Sequence, residues 1–550
     1  MIKKLSPLLL VIIAGIILVL PFFHRGYFPT HDGEWAVVRL SDMYREIKDG
    51  QIPARFSGNL NFGYGYPLFN FAYPLPYYLG LPFFILHLGL VNSIKILFIL
   101  SVPLSGVGMY YLARNLWKNN WSGMLSSLLY MYLPYRMVDL YVRGSLGESI
   151  ASVFFPLILL LMRRLAVKQS VISIALLAVS IAALIMTHNI MAVLFGIIAG
   201  VYFIYLFVSY KRIDVLQIVF GVVGGLLLSS FFWLPALGEK HFILLSQIPI
   251  ADRNLYFVSL HQLLYGSFGY GTPTEANPFT YQIGFAQIIV FILAVSAVLV
   301  SVFKKGQKRI NRELLLFASL ALLFILMMFS LSKPIWMLPL LKEINYPWTA
   351  LLALGFLLSV IAGGIVPKIK WQQYVLFALV AINCLVVLTY AHPLEYLDRG
   401  DGFYFTNDAT TTSSHELMPL TVKSIPTSRA QQKVDVVNGA GSATIQIDKS
   451  QLKVFSVNLQ NDSIVRLNTI YYPGWNWYRD GKKIAISYDN PHGVMQSRLP
   501  KGNYSITARF EDTSLRKAAN LISLFTVLAL GIVVLVSHRN HYTLAQLSKK

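Results

Sequence analysis

Apolar runs long enough to cross a bilayer recur along the whole chain, with short clusters of lysine and arginine between them. No other feature of the sequence narrows the fold as far. A spanning helix needs roughly 20 apolar residues. By that measure about twelve spans are expected, near 5–23, 93–113, 121–135, 149–165, 170–187, 190–209, 214–236, 283–303, 313–331, 348–366, 371–390 and 519–537. A chain of 550 residues that is 55% hydrophobic and only 13% charged has the balance of a polytopic membrane protein, and its mean hydropathy of +0.58 agrees. The net charge of +21 could suit nucleic acid, but the basic residues sit in clusters between apolar runs, so no nucleic-acid partner is expected. Cys384, the single cysteine, lies within an apolar run, which excludes a disulfide framework or a cysteine metal site.

Charge sets the expected sidedness. With Lys3 and Lys4 inside, the inner side also receives Arg114 and Lys118, then Arg163, Arg164 and Lys168, then Lys211 and Arg212. The run from Lys304 to Arg312, Lys368 and Lys370, and finally Arg539, Lys549 and Lys550 follow the same rule. Both termini are therefore expected in the cytoplasm, with the protein multi-pass in the plasma membrane. The first apolar run ends in Pro21-Phe22-Phe23-His24-Arg25 without a small-residue cleavage site, so it reads as a retained anchor. Residues 74–90 would invert every later loop if they crossed, so they are placed as an interfacial or re-entrant helix inside an outer loop, 24–92. An amphipathic helix starting at Asp32 or Gly33 is expected there, with Ala36, Leu40, Met43 and Ile47 on one face.

Residues 391–518 break the pattern. Runs such as SATIQI, KVFSVNL, SIVRLNTIY and YSITARF alternate as strands do, and Asp480-Gly481 is a hairpin signal. The expected organisation is a helical membrane domain over 1–390, an extracytoplasmic β-sandwich-like domain over 391–518, and a final span with a cytoplasmic tail over 519–550.

No aspartate or glutamate lies in the middle of an expected span, which speaks against an ion or proton pathway through the bilayer. The acids gather in the outer loops instead. The first cluster is His31, Asp32 and Glu34; Asp32 reads as a helix N-cap, and equally as a general base or a ligand for a divalent cation. The second, PYRMVDLYVRGSLGES, brings Arg136, Asp139, Arg143 and Glu148 into one short connection, as a solvated ion-paired loop or as a phosphate clamp. His188 stands at the outer end of the fifth expected span, where a headgroup-level polar residue is the simpler reading. The aromatic stretch NFGYGYPLFNFAYPLPYY suits an interface belt or a sugar or lipid platform, and nothing in the long loop 238–282 fixes a role.

Taken together, HDGEWAVVRL, NFGYGYPLFNFAYPLPYY, LPYRMVDLYVRGSLGES, LIMTHN, LPLLKEINYPW and YYPGWNWYRDGKK resemble the polyprenyl-phosphate-sugar-dependent glycosyltransferases of the GT-C superfamily. Within it the resemblance is to bacterial membrane proteins labelled 6-pyruvoyl-tetrahydropterin synthase-related, close to the YfhO-type group. It implies a GT-C-like fold and sugar transfer from a polyprenyl phosphate to an extracytoplasmic glycan, lipid or protein in envelope glycosylation. It maps the acidic residue of the first outer loop to Asp32 and a second acidic position to Glu148; a mechanism built on these expects Arg39, Arg136 or Arg143 at the donor phosphate and His31, Glu34, Asp139 and His188 in support. It allows a divalent cation (Mg or Mn) at Asp32 and Glu148 without requiring one, and no cysteine/histidine zinc pattern supports pterin chemistry. An arginine would be expected after Pro347-Trp348, where this chain has Thr349. A transporter or flippase of lipid-linked glycans and a non-catalytic envelope-assembly scaffold remain as rivals. The transferase reading expects Asp32 and Glu148 to line one shared outward cavity.

Overall fold

A computed structural model gives the fold; it describes every residue except 1, 211, 273, 276, 304–310, 367–368 and 548–550, and no side chains at 2–6, 212–214, 301–303 or 538–547. The charge assignments for Lys3, Lys4, Lys211, Arg212, Lys368, Arg539, Lys549, Lys550 and most of the run that starts at Lys304 lie outside those residues and side chains. In chain order the helices that matter are α1 (Ile2–Leu18), α2 (Gly33–Asp49), α3 (Leu75–Ile85), α4 (Leu90–Trp117), α5 (Asn120–Met131), α6 (Leu146–Val167), α7 (Val171–Thr187) and α8 (Asn189–Ser209). They continue with α9 (Arg212–Leu228), α10 (Ser230–Gly238), α11 (Phe285–Phe303), α12 (Arg312–Met327), α13 (Ala350–Gly364), α14 (Lys370–Leu388) and α15 (Ser514–Leu547).

Each expected span has a helix, but not each helix is a full span. Among the described residues six helical stretches are long and apolar enough to cross a membrane: α4, α6, α8, α14, Pro347–Gly364 around α13, and Ser514–Ser537 of α15. Two more pairs reach that length only with a sharp bend, α9 with α10 at 66° and α12 with Ser330–Trp336 at 96°. α5 stops at Met131 because Leu133 is extended, as a residue before proline prefers, and Pro134 opens the next turn. It still packs tightly on α4, since a Cβ on Gly123 would stand 2.9 Å from the Tyr110 carbonyl oxygen.

Residues 74–90 hold no helix of spanning length: α3 has 11 residues and packs against α2 and α4, with Ile85 and Leu86 left exposed. α2 has the expected face, with Ala36, Leu40 and Met43 buried. Gly50 ends it at φ 95°, its N–H returning to the Glu46 and Ile47 carbonyls.

The C-terminal strands are β1 (Val434–Asn438), β2 (Gly441–Lys449), β3 (Leu452–Leu459), β4 (Ser463–Ile470), β5 (Trp475–Arg479), β6 (Lys482–Ile484), β7 (Val494–Leu499) and β8 (Gly502–Phe510). They form two antiparallel sheets, β1-β4-β7 and β2-β3-β8-β5-β6. Asp480 and Gly481 join β5 to β6 with φ 49° and 77°, the left-handed pair a two-residue hairpin needs. Phe455, Val465, Leu467, Trp477 and Ile506 are buried in a core that runs without a break into the 24–92 segment. Phe56 of that segment packs edge-on against Trp475, with ring centroids 5.5 Å apart.

The sheets start later than the expected boundary at 391. The stretch before them turns back: Leu397 exchanges backbone hydrogen bonds with Tyr27 at 2.7 and 3.2 Å, and Thr411 reaches the helix that starts at Gly33.

Candidate active site

The segment before α2 and the connection between α5 and α6 are tied to each other. Asp32 N–H donates to the Arg143 carbonyl at 2.8 Å and His31 N–H to the Val142 carbonyl at 3.0 Å. Gly144, at φ +61°, makes the contact possible, because a Cβ there would fall on Thr30 Oγ1 and the backbone of Gly33. A π-helical turn over Val138–Val142 precedes it.

A cavity of about 590 Å³ opens beside this junction. Asp32, Arg39, Arg143, Tyr73 and Trp348 line it, together with Thr411 and Glu416 from the returning segment. The 238–282 connection adds Ile250, Tyr256, Thr272 and Phe279.

Asp32 stands at the N-cap position but makes no cap hydrogen bond. This corrects the capping expectation: Thr30 Oγ1 accepts the Gly33 N–H at 2.9 Å instead. Among the described residues the Asp32 carboxylate has no hydrogen bond and no ion pair. Burial holds its carboxyl above the usual range, opposed by Arg143, Arg39 and His31 and assisted weakly by Glu148.

Arg143 is anchored on one side only. Its Nη1 donates to Glu148 Oε1 at 2.6 Å, Asp139 Oδ1 at 2.8 Å and Tyr135 Oη at 2.9 Å. Its guanidinium lies 4.8 Å from the centre of the Trp348 ring, and among the described residues no acceptor takes Nη2 or Nε. Arg39 is held by the Thr411 carbonyl, by Thr411 Oγ1 at 3.1 Å and by Tyr77 Oη at 3.4 Å.

Several expected site residues lie elsewhere. Glu148 is fully buried behind Arg143, accepts the Tyr135 hydroxyl at 3.1 Å and does not line the cavity. Asp32 and Glu148 therefore meet through Arg143, not across a shared opening. Asp139 is buried beside it, its carboxyl pushed well above the usual range by burial and then by Glu148. Arg136 is buried over the Tyr130 ring at 5.5 Å, away from the cavity, because the turn that follows Pro134 directs it into the bundle. Glu34 turns outward to Arg399 at 2.7 Å and Tyr404 at 3.1 Å. His31 lines the cavity with its Nε2 at 3.1 Å from the Tyr270 carbonyl oxygen. His188 stays behind the wall, 4.0 Å from Glu148 and with its ring 5.2 Å from Tyr73; burial pushes its pKa down to about 4.

Sequence reasoning missed Thr411 and the aromatic role of Trp348. The latter was within reach, since Pro347-Trp348 had been singled out; nothing local marks Thr411.

A divalent cation is a poor fit to this donor set. Glu148 is consumed by Arg143, two guanidinium groups act on Asp32, and among the described residues no three His, Cys, Asp or Glu side chains come together. No step below is routed through a metal.

The chain can now be set beside known proteins. An uncharacterized protein of Lactococcus lactis subsp. cremoris (strain MG1363) is 22% identical over 239 residues, a match that covers 42% of this chain and 39% of that protein. Among solved structures, an arabinofuranosyltransferase AftD from Mycobacteria superposes with a TM-score of 0.47 at 13% identity, covering 72% of this chain and 29% of that one. The Archaeoglobus fulgidus oligosaccharyltransferase in its apo form gives a TM-score of 0.43 at 12% identity, covering 76% and 61%. This chain thus spans less than two thirds of each of these proteins. The family model described as "6-pyruvoyl-tetrahydropterin synthase related domain; membrane protein" matches residues 69–395. That is more than half of the sequence, and the chain belongs to this family of membrane proteins.

Proposed function

We propose that the protein is a membrane glycosyltransferase that moves a sugar from a polyprenyl-phosphate donor to an extracytoplasmic acceptor. The observation that carries this reading is the unpaired Asp32 carboxylate in a cavity it shares with Arg39 and Arg143. A carboxylate whose pKa is raised by burial is a better base than a free one. Asp32 takes the proton of the acceptor hydroxyl as its oxygen attacks the anomeric carbon. The bond from that carbon to the phosphate oxygen breaks, and the polyprenyl phosphate leaves toward the open edge of Arg143 and toward Arg39. Glu148, Asp139 and Tyr135 are positioning residues that aim Arg143, and Trp348 supports its face.

A second feature supports a lipid-linked donor. An apolar groove of about 350 Å³ lies between α6, α7, α8 and α9, lined by residues such as Met162, Leu184, Phe195 and Leu226. Gly196 and Gly200 border it, and a Cβ on either would meet nothing within 4 Å. Leu184 lines the groove and its carbonyl accepts the His188 N–H at 3.1 Å, while the His188 ring lies 5.2 Å from that of Tyr73 in the cavity wall. In this reading the groove takes the first isoprene units and the cavity takes the sugar phosphate. The cavity faces outward, the sheets are extracytoplasmic and both ends of the chain lie in the cytoplasm.

Sugar transfer from a panel of polyprenyl-phosphate donors, in reconstituted vesicles, tests the proposal. Asp32→Asn should cut the rate by about 100-fold or more while donor binding is kept. Lipid movement across the bilayer that Asp32→Asn abolishes, with no sugar transferred by the wild type, would refute it in favour of a flippase.

A further inference from the structure

A second polar cavity, of about 450 Å³, lies at the other end of α2, where the last turn of that helix and the 58–64 loop meet the β sheets. Five cations line it (Arg45, Lys48, Arg429, Lys433 and Lys453) against three acids, Glu46, Asp49 and Asp448. Pairing narrows the excess without removing it, since Arg429 is bound to Asp408 outside the lining. Lys453 is bound to Asp448, and the Asp49 carboxylate is occupied by the Ser450 N–H at 2.6 Å. Among the described residues Lys433 makes no ion pair; its ammonium donates to the Gly63 and Asn468 carbonyls at 2.5 and 3.0 Å. Burial, helped by Lys453 and Arg429 and opposed by Asp448, pushes its pKa down to about 7. Lys48 is exposed and, among the described residues, without a partner.

Phe62 supplies an independent observation. It lines the same cavity although its backbone is left-handed, at φ 56°, a conformation that strains a bulky residue and suits glycine. The backbone alone would be better served without the ring. An aromatic face beside amides and cations is what a charged sugar needs: the ring stacks on the pyranose, Asn59 and Asn468 meet hydroxyls, and the ammonium groups meet the charge.

We propose that this cavity binds an anionic saccharide segment, a glycan carrying carboxylate or phosphate groups, one α2 length from Asp32. That length is about 25 Å for 17 residues. The transferase reading is needed only to call this ligand the acceptor; the binding itself does not depend on it.

The test uses the full-length protein in nanodiscs, with fluorescent oligogalacturonate as the carboxylate probe, oligomeric polyglycerol phosphate as the phosphate probe and a maltooligosaccharide as the neutral control. At least one anionic probe should bind, more weakly as salt rises, and at least about tenfold more tightly than the neutral one. Phe62→Gly should weaken binding by about tenfold, and Lys48→Glu by about fivefold. Phe62→Gly should melt no lower than wild type, since it relieves the left-handed backbone; a ring that merely fills the seam would melt lower and leave binding unchanged. The inference is overturned if neither anionic probe binds, if the neutral probe binds equally, or if both variants bind as wild type does. Probe binding without any sugar transfer leaves this site standing and sinks the transferase reading; transfer without probe binding does the reverse.

Discussion

Glu148→Gln, made alone and together with Asp139→Asn, tests how the Arg143 anchor is built. Glu148 is fully buried and its Oε1 takes the Arg143 guanidinium at 2.6 Å. Removing one partner of a buried ion pair costs about 3–5 kcal/mol when the other charge is left uncompensated. Here a reserve exists, because Asp139 Oδ1 lies 2.8 Å from the same Nη1. In the wild type, burial and the charge on Glu148 keep the Asp139 carboxyl well above its usual range. Once position 148 is neutral that repulsion is gone, and Asp139 can ionise as the replacement counter-ion. The single Glu148→Gln change should then cost only about 2 kcal/mol, near the worth of one charged hydrogen bond. Asp139→Asn alone should cost less than about 1 kcal/mol, since Glu148 still holds the same Nη1. The double variant leaves Arg143 without a bonded carboxylate, with Asp32 as the acid still acting on it, and should lose about 3–5 kcal/mol. Equilibrium unfolding of the purified protein in mixed detergent micelles at pH 7 gives the three values. A double loss that equals the sum of the single losses within about 0.5 kcal/mol would refute the reserve counter-ion.

Gly144→Ala should lower the melting temperature and depress sugar transfer together, because the added Cβ pushes Thr30 and Gly33 away and loosens the backbone bond that holds Asp32. Gly400→Ala is its control, with nothing within 4 Å of the new Cβ, and should change neither. Asp42, on the buried face of α2, has its pKa raised to about 6 by burial and by Asp49, against Ser57 and Arg45. An acid raised in the folded state contributes stability that is present below about pH 4 and lost as pH climbs through 6. Unfolding measured at pH 4, 5.5 and 7 should therefore show wild type losing about 3 kcal/mol more than Asp42→Asn over that window; parallel pH profiles would contradict it.

Elements whose signal is local were legible from the sequence. The helix from Gly33 came from apolar spacing and the β5–β6 turn from Asp480-Gly481. Local pattern could not say where α9 breaks into α10, since the bend depends on α15, which packs against both halves. Nor could it decide between two oxygens at the start of α2. Asp32 holds the preferred cap position, yet Thr30 reaches the Gly33 N–H, which leaves the carboxylate unengaged. The return of 397–420 onto the 24–92 segment has no sequence signal at all, because Thr411 meets Arg39 across 372 positions of chain. Glu148 illustrates the same limit: spacing places it near Asp32 along the chain's outer loops, but only packing reveals that Arg143 stands between them.

The charges around the cavity also set an order of events on the transferase reading. Arg143, although paired with Glu148, and then Arg39 are the cations that answer Asp32. A donor phosphodiester brings one more negative charge to that space, and both arginines turn part of their field to it. Asp32, already held above the usual carboxylate range, then loses stabilisation of its charged form and rises further. Donor binding thus makes the base stronger before the acceptor arrives. The acidic limb of the rate profile reads this directly, because kcat/KM for donor reports the pKa in the free enzyme and kcat the pKa in the complex. The kcat limb should lie at higher pH, by about one unit for a like charge within reach of the carboxylate. Coincident limbs, or a kcat limb at lower pH, would mean that the arginines over-compensate the phosphate and that Asp32 is not primed by its substrate.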